Sequence, residues 1–363
     1  MNKIKKIDYL LLIDILFLIG FGLLYVYSAS NVSASYKYDD AFYFFKRQLL
    51  FVVIGLIIMY FMTKIDIEKI KKYTKHIFFT CLVLLILVLI PGIGIVRGGA
   101  RSWIGIGIFS IQPAEFMKIG LILVLAKYLS EYKDDLKKFR NFIYILVLIC
   151  LIFGIILLQP DFGTGLVIVA SSILLLYIGG VPLKYFFFLF CLGGAGLVVL
   201  IISEPYRMER IFAFLDPWSD PLGSGFQGIQ SLFALSPSGI FGLGFDKSMQ
   251  KHFFLPEPQN DFIFAIIAEE LGLFGGLILI LAYLFILIKS ILIASKVNEP
   301  YKAFLAVGLG ISIFIQVFIN IAVVIGLLPI TGITLPIVSY GGSSLIITLT
   351  SLGLLLNISK YQE

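Results

Sequence analysis

Leu255-Pro-Glu-Pro-Gln-Asn-Asp-Phe-Ile-Phe-Ala-Ile-Ile-Ala-Glu-Glu-Leu271 passes from a proline-stiffened polar loop, through a carboxylate, into a run that stays apolar to about residue 288. That run exceeds the roughly 20 helical residues needed to cross a hydrocarbon core of ~30 Å, so it reads as a membrane span. Comparable runs lie near 8–28, 49–63, 76–95, 112–130, 141–158, 163–180, 184–203, 303–328 and 341–358, which makes ten in all. They are continuous rather than alternating. Lipid forces each segment to satisfy its own backbone groups, which selects helices over a barrel. Of the 363 residues, 60% are hydrophobic and only 14% charged, with a mean hydropathy of +1.03, outside the range of a soluble domain. The expected fold is an all-α polytopic membrane protein with ten transmembrane helices and one large, ordered extracytoplasmic loop.

Lys and Arg are distributed unevenly between alternate connections. One set (the N-terminus, 64–75, 127–140, Lys184, 289–302 and Lys360) holds eighteen, and the other holds nine although its loops are longer. The positive-inside bias therefore places both termini in the cytoplasm and the 204–260 loop outside. The formal charge of +6 follows from this bias and from attraction to anionic membrane lipids, not from nucleic-acid binding. The first run ends in Tyr25-Val-Tyr-Ser-Ala-Ser30, superficially a cleavage site, but it is too long for a signal core and nine spans follow, so it reads as a retained helix. Cys81, Cys150 and Cys191 are far apart inside apolar runs, and His76 and His252 are the only histidines. Neither a disulfide framework nor a zinc or His-rich metal site is implied. With no internal repeat and no interdomain linker, 1–363 reads as a single membrane domain.

The 204–260 loop is rich in Gly, Pro, Ser and aromatics, with two Asp-Pro pairs between Phe212 and Gly225, and 228–233 has the pattern of a short interfacial helix. Its aromatic content argues for packed structure in a connection long enough to be functional. A second outer loop, 91–107, sets Arg97 and Arg101 among glycines with Trp103 as an interface anchor. A third, 328–342, carries no charge; Pro329, Pro336, Gly332, Gly341 and Gly342 read as a re-entrant turn.

Asp261 reads either as a helix N-cap or as a functional carboxylate at the membrane surface. At about 100° per residue, Ala265, Ala268, Gly272 and Gly275 fall on its side, a small-residue stripe that lets another helix approach closely. Asp261 thus heads a face turned into the bundle. Glu269 lies at the edge of that stripe, as an inward group or a structural hydrogen bond, and Glu270 lies on the opposite side. Glu115 and Lys118, three residues apart at the start of the fourth run, are either a self-neutralising ion pair or the charged rim of an outward-facing cavity. Asp161 in Gln159-Pro-Asp-Phe-Gly-Thr164 reads most simply as a turn residue. Arg97, Arg101, Arg207, Arg210, Lys247 and Lys251 supply the outer cations; two or three converging would hold a diphosphate, for which the planar guanidinium is suited.

Taken together, these strings resemble the shape, elongation, division and sporulation (SEDS) family of peptidoglycan polymerases. They are Phe45-Lys-Arg-Gln48, Gly99-Ala-Arg-Ser-Trp103, Gln112-Pro-Ala-Glu115 with Lys118, Gln159-Pro-Asp-Phe-Gly163, and Arg207 to Arg210 with Phe214-Leu-Asp-Pro-Trp218. They continue through Asp220-Pro-Leu-Gly-Ser-Gly-Phe-Gln227, Leu255-Pro-Glu-Pro with Asp261, Glu269-Glu-Leu-Gly272, and Leu328-Pro-Ile-Thr-Gly332 to Ser339-Tyr-Gly-Gly-Ser343. Asp216-Pro-Trp218, Phe226 and Ser248-Met-Gln-Lys251 resemble the FtsW and SpoVE branch more than the RodA branch. Two departures stand out: Gln259-Asn260 replaces the family's usual His-Thr before the essential carboxylate, and Ser236-Pro-Ser-Gly239 replaces a Gly-Ser-Gly-Gly. A neighbouring imidazole is therefore not required.

The resemblance implies a glycosyltransferase that polymerises lipid II at the outer face of the bacterial cytoplasmic membrane. It implies Asp261 as the catalytic group, with a class B penicillin-binding protein and other divisome proteins as partners. Arg101, Arg207, Arg210 and Lys247, with Glu115, Lys118, Glu257 and Glu269, are the expected substrate-binding set. One carboxylate suffices, because a polyprenyl diphosphate leaves without the protonation a sugar alcohol needs. A divalent cation, Mg²⁺ or Mn²⁺, would assist the diphosphate, although no ligand cluster demands one. The rival readings are a lipid II flippase, or an elongation- or sporulation-type polymerase of the same family; a noncatalytic scaffold is a weaker one.

Overall fold

A computed structural model describes residues 6–106, 109–132, 138–202 and 204–362. Lys3, Lys5, Gly107, Lys133 and Lys137 lie outside the described residues, as does the side chain of Cys191.

Each of the ten apolar runs contains one long helix: α1 (Tyr9–Tyr38), α2 (Tyr43–Lys64), α3 (Ile67–Leu87), α4 (Pro113–Tyr132), α5 (Phe139–Leu157), α6 (Phe162–Ile178), α7 (Leu183–Ile202), α10 (Ile263–Ser295), α11 (Pro300–Val324) and α12 (Gly342–Ile358). Two more, α8 (Pro205–Leu215) and α9 (Phe226–Leu235), lie in the large loop. Local chemistry sets several starts. Asp8, Asp66 and Asp161 accept backbone N–H groups at the caps of α1, α3 and α6, and Pro205 and Pro300 sit in the first turns of α8 and α11, where proline loses no helix bond. Among the described residues, six helices are long and apolar enough to cross a membrane: α1, α2, α5, α10, α11 and α12 with its short extension to Tyr361.

The helical fold is as expected, with one addition in a connection. The 91–111 connection is not a plain glycine loop but a three-stranded antiparallel sheet, β1 (Gly94–Arg97), β2 (Ala100–Ile106) and β3 (Phe109–Ile111), with a bulge at Ile95/Val96. Gly98 and Gly99, both at positive φ, form its first tight turn. Arg97 lies over the Trp103 ring at 5.0 Å, so the tryptophan anchors the hairpin's own cation. The expected 228–233 helix is present as α9, slightly longer than read, whereas α8 was not anticipated.

Helix α11 is the axis of the bundle, packed against α4, α6, α10 and α12 and buried along most of its length. Helices α2 and α12 approach until backbone meets backbone: a Cβ on Gly353 would lie 2.7 Å from the Met59 carbonyl oxygen. The uncharged 328–341 segment is drawn into the bundle. Leu335, Ile337, Val338 and Ser339 are buried, and Val338 packs against Gly22 of α1. The turn read from its prolines and glycines is thus a chain segment inserted among α1, α2, α10 and α11.

Candidate active site

Asp261 occupies a bend just before α10, half-buried, with Phe262 and not Asp261 at the cap of the helix. Its carboxylate is therefore not used to start α10. Burial pushes its pKa up to about 6; the charge of Glu257 adds to this and that of Arg210 opposes it. A carboxylate so poised is ionised at neutral pH yet more basic than a solvated aspartate.

The backbone that presents Asp261 is fixed from behind by amides. Asn320 of α11 donates to the carbonyls of both Asp261 and Ile333 at 2.7 Å. Tyr340 N–H donates to the carbonyl of Gln259 at 2.8 Å, and Gln48 of α2 holds the same turn by donating to Ser339 O (3.0 Å) and accepting from Gly341 N–H (3.4 Å). One turn from Asn320, Gln316 donates to Thr334 O at 2.9 Å and accepts from Lys118. Lys118 in turn pairs with Glu115 at 2.7 Å, both buried. Glu115 and Lys118 thus form the ion pair, and Gln316 ties it to the segment behind Asp261. Gln48, Gln316 and Asn320 were missed as site residues; for Gln316 and Asn320, amides within the 303–328 apolar run were the signal.

The Gln112 and Gln159 strings also meet. Gln112 donates to the Asp161 carboxylate at 2.6 Å, and Asp161 caps α6 through Thr164 N–H at 3.2 Å. Gln159 donates to Leu85 O at 2.9 Å. Asp161 is more than a turn residue, because it joins the starts of α4 and α6.

Helix α10 is broken at Gly272, with φ 65° and ψ −160°. The large loop repairs the gap: Leu243 and Gly244 N–H donate to the carbonyls of Glu269 and Glu270 (3.0 and 2.9 Å), and Leu273 and Phe274 N–H donate to Gly239 and Ile240 O (both 3.0 Å). The small-residue stripe therefore does not continue as one straight face beyond Leu271.

This arrangement revises the substrate-facing reading of Glu269. Glu269 is 1% exposed and accepts from Ser248 Oγ, Met249 N–H (2.9 Å) and Gln250 N–H (3.3 Å), so its oxygens are committed to the loop. Glu270, fully buried, accepts from Ser28 of α1 at 2.6 Å and from Ser248 N–H at 3.2 Å, with Lys251 ammonium at 3.6 Å. Lys251 also pairs with Asp246. Two adjacent carboxylates on different sides of the helix are thus both drawn into holding 246–251.

The cations do not converge as a set. Arg210 bonds Ile330 O at 2.9 Å and acts on Asp261 through its charge, and Arg207 precedes it on α8. Arg101 is turned to Leu89 O at 3.4 Å at the end of α3, and Lys247 lies exposed beside Gly244. Glu257, exposed and at positive φ, accepts from Asn260 at 2.8 Å close to Asp261. The structure thus gathers Asp261, Glu257 and Arg210, with Glu115 and Lys118 linked indirectly.

Residues 9–363 match the FtsW/RodA/SpoVE family model, described as cell cycle protein. The chain is 52% identical to stage V sporulation protein E of Bacillus subtilis, over 98% of each chain. It is 41% identical to a probable peptidoglycan glycosyltransferase FtsW of a Geobacter species, over 99% of this chain and 98% of the relative. Among solved structures, it resembles a chain from work on the structural coordination of polymerization and crosslinking by a peptidoglycan synthase complex, with a TM-score of 0.76, 29% identity and coverage of 98% and 99%. The rod shape determining protein RodA of Thermus thermophilus matches at a TM-score of 0.71 and 26% identity, over 98% of each chain. The chain belongs to the FtsW/RodA/SpoVE family of cell cycle proteins, on the FtsW and SpoVE side rather than the RodA side.

Proposed function

We infer that this protein is a peptidoglycan glycosyltransferase, polymerising lipid II at the outer face of a bacterial cytoplasmic membrane in cell division or sporulation. The observation that carries the reading is Asp261: a half-buried carboxyl, its pKa pushed up to about 6, with a guanidinium close enough to act on it. Asp261 takes the proton from the acceptor's 4-hydroxyl as that oxygen attacks the donor's anomeric carbon. The bond from that carbon to the phosphate oxygen breaks, and the polyprenyl diphosphate leaves with the electron pair. Direct displacement inverts the anomeric centre. A positioned base of this kind contributes roughly 10²- to 10⁴-fold, and Arg210 meets the charge developing on the leaving phosphates.

Among the described residues no three His, Cys, Asp or Glu cluster as a metal site. A Mg²⁺ or Mn²⁺ ion acting here would be held by diphosphate oxygens with Asp261 and Glu257, since Mg²⁺ is commonly bound through substrate phosphates and one or two carboxylates. Ten spans, both termini in the cytoplasm, the 204–260 loop outside and a single membrane domain complete the reading, supported by the charge bias of the connections. A class B penicillin-binding protein is the proposed partner, supported by the likeness to a chain from a peptidoglycan synthase complex; other divisome proteins join it. The Glu115–Lys118 pair is neutralised internally, so it does not favour the flippase reading.

The test is polymerisation of purified lipid II by the full-length protein, with and without its partner, beside Asp261→Asn. Loss of glycan strands in the folded variant is expected; wild-type polymerisation by it refutes the assignment. A vesicle assay for lipid II translocation separates flipping from polymerisation.

A further inference from the structure

Asp14 is the only Asp, Glu, Lys or Arg between Asp8 and Lys37, and the proposed reaction does not use it. It lies on α1 about 9 Å past the Asp8 cap, at 1.5 Å per residue. Its side chain has one methylene, so it cannot reach back to the interface as a lysine or arginine does. Two contacts fix what stands across from it. Asp8 pairs with Lys289 at 2.8 Å and Ser28 donates to Glu270 at 2.6 Å, so α1 and α10 run antiparallel and Asp14 comes level with Tyr283. The Asp14 charge acts on Tyr283, yet the tyrosine gives its hydroxyl hydrogen to Pro336 O. Lys289 is taken by Asp8. Asp14 Oδ2 is therefore buried with no hydrogen-bond partner, and among the described residues the carboxyl has no ion pair.

Such a group is costly inside a span and is ordinarily paired. The surface beside it is exposed and apolar. Half-buried Asp14 stands at the edge of an arc formed on α1 by Leu10, Ile13 and Phe17, and α10 adds Leu281 and Ile288. Gly20, exposed in the same arc, has open space where a Cβ would stand, so a second helix can approach closely there. Charge narrows the occupant. Lipid head groups stay at the interface, and anionic ones are repelled. A second copy related by two-fold symmetry brings another Asp14 instead of a cation. A helix with one basic side chain answers the carboxylate and covers the apolar arc with the same element.

We propose that the groove between α1 and α10 receives a membrane-spanning helix of a partner protein, whose lysine or arginine pairs with Asp14. This docking does not depend on the reaction catalysed at Asp261. It does reach toward that site, because Gly22 of α1 packs against Val338, and Tyr340 of the same segment holds Gln259 through its N–H. A helix seated on α1 is thus one element away from the backbone that presents Asp261.

The probe is a synthetic leucine–alanine span with one lysine level with Asp14 and a photoleucine beside it, added to full-length protein in phosphatidylcholine nanodiscs. Adducts are mapped by mass spectrometry. Capture on 10–24 and 277–288 is expected, about tenfold above that of the same peptide with leucine in place of lysine, the yield of one polar contact inside a membrane. Asp14→Asn should remove most of that difference, and Asp14→Lys should prefer a peptide carrying glutamate. Because Asp14 holds nothing within the chain, Asp14→Asn should melt no lower than wild type. Equal capture of the lysine and leucine peptides, adducts confined to other helices, or indifference to Asp14→Asn would overturn the proposal. A lower melting temperature for Asp14→Asn would overturn it too, by making the carboxylate a structural group.

Discussion

Replacing Asp261 by asparagine should abolish polymerisation and, at neutral pH, stabilise the protein. The carboxyl moves from 3.8 to about 6 on folding, and each pH unit of such a change corresponds to about 1.4 kcal/mol. The ionised form in its folded setting is thus disfavoured by about 3 kcal/mol at most, and by nearer 1 once solvent screening on the open side is counted. Because the folded-state value is raised, wild-type stability from this group is full below pH 4 and lost as pH rises through about 6. Asparagine never ionises. The melting temperature of Asp261→Asn should match wild type near pH 4 and exceed it increasingly between pH 4 and 6, with a constant gap above. Thermal unfolding in detergent across that range measures this, and lipid II polymerisation in parallel should show wild-type rates rising with a midpoint near 6. A melting difference independent of pH, or a wild-type rate that stays flat down to pH 4.5, would refute the buried-base argument.

Gly272→Ala should be among the most disruptive single-atom changes in the protein. Its Cβ would lie 2.5 Å from Gly242 N and 2.6 Å from Ile240 C and O, at a backbone geometry that disfavours side chains. A loss above about 3 kcal/mol is expected, read as the yield of monodisperse protein in size-exclusion chromatography. Lys118→Met should destabilise by about 3–5 kcal/mol by stranding Glu115, and adding Glu115→Gln should recover much of this; a thermal double-mutant cycle checks the sign of the coupling. Asn320→Ala removes two donors to buried carbonyls, at about 1–3 kcal/mol. Because it frees the backbone of Asp261, kcat should fall more than KM changes, and Asn320→Leu, of similar size but without the amide, should show the same loss in steady-state kinetics.

Much of the scaffold was legible because membrane solvation imposes a local, one-dimensional rule: each span must carry its own apolar length and satisfy its own backbone. Every apolar run accordingly holds a helix, and the resemblance to one family could be read from strings spread in order along the whole chain. The position of Asp261, at the boundary between a polar loop and an apolar run, is likewise a property of neighbouring residues. The break in α10 was not legible. Helical periodicity assigns Gly272 to a straight face, and only the distant 239–244 segment, bonding across the gap, makes the broken geometry stable. The same holds for Glu269 and Glu270, which periodicity assigns to different environments and the 246–251 loop recruits together. Among the six cations of equal formal charge expected on the outer side, Arg210 is singled out by its bond to Ile330 O beyond the end of α11. Sequence alone thus determined which segments form the long apolar helices and where the carboxylate stands at the start of one of them. The tertiary structure decided which polar groups face one another, because those pairings join residues up to hundreds of positions apart and leave no trace in local pattern.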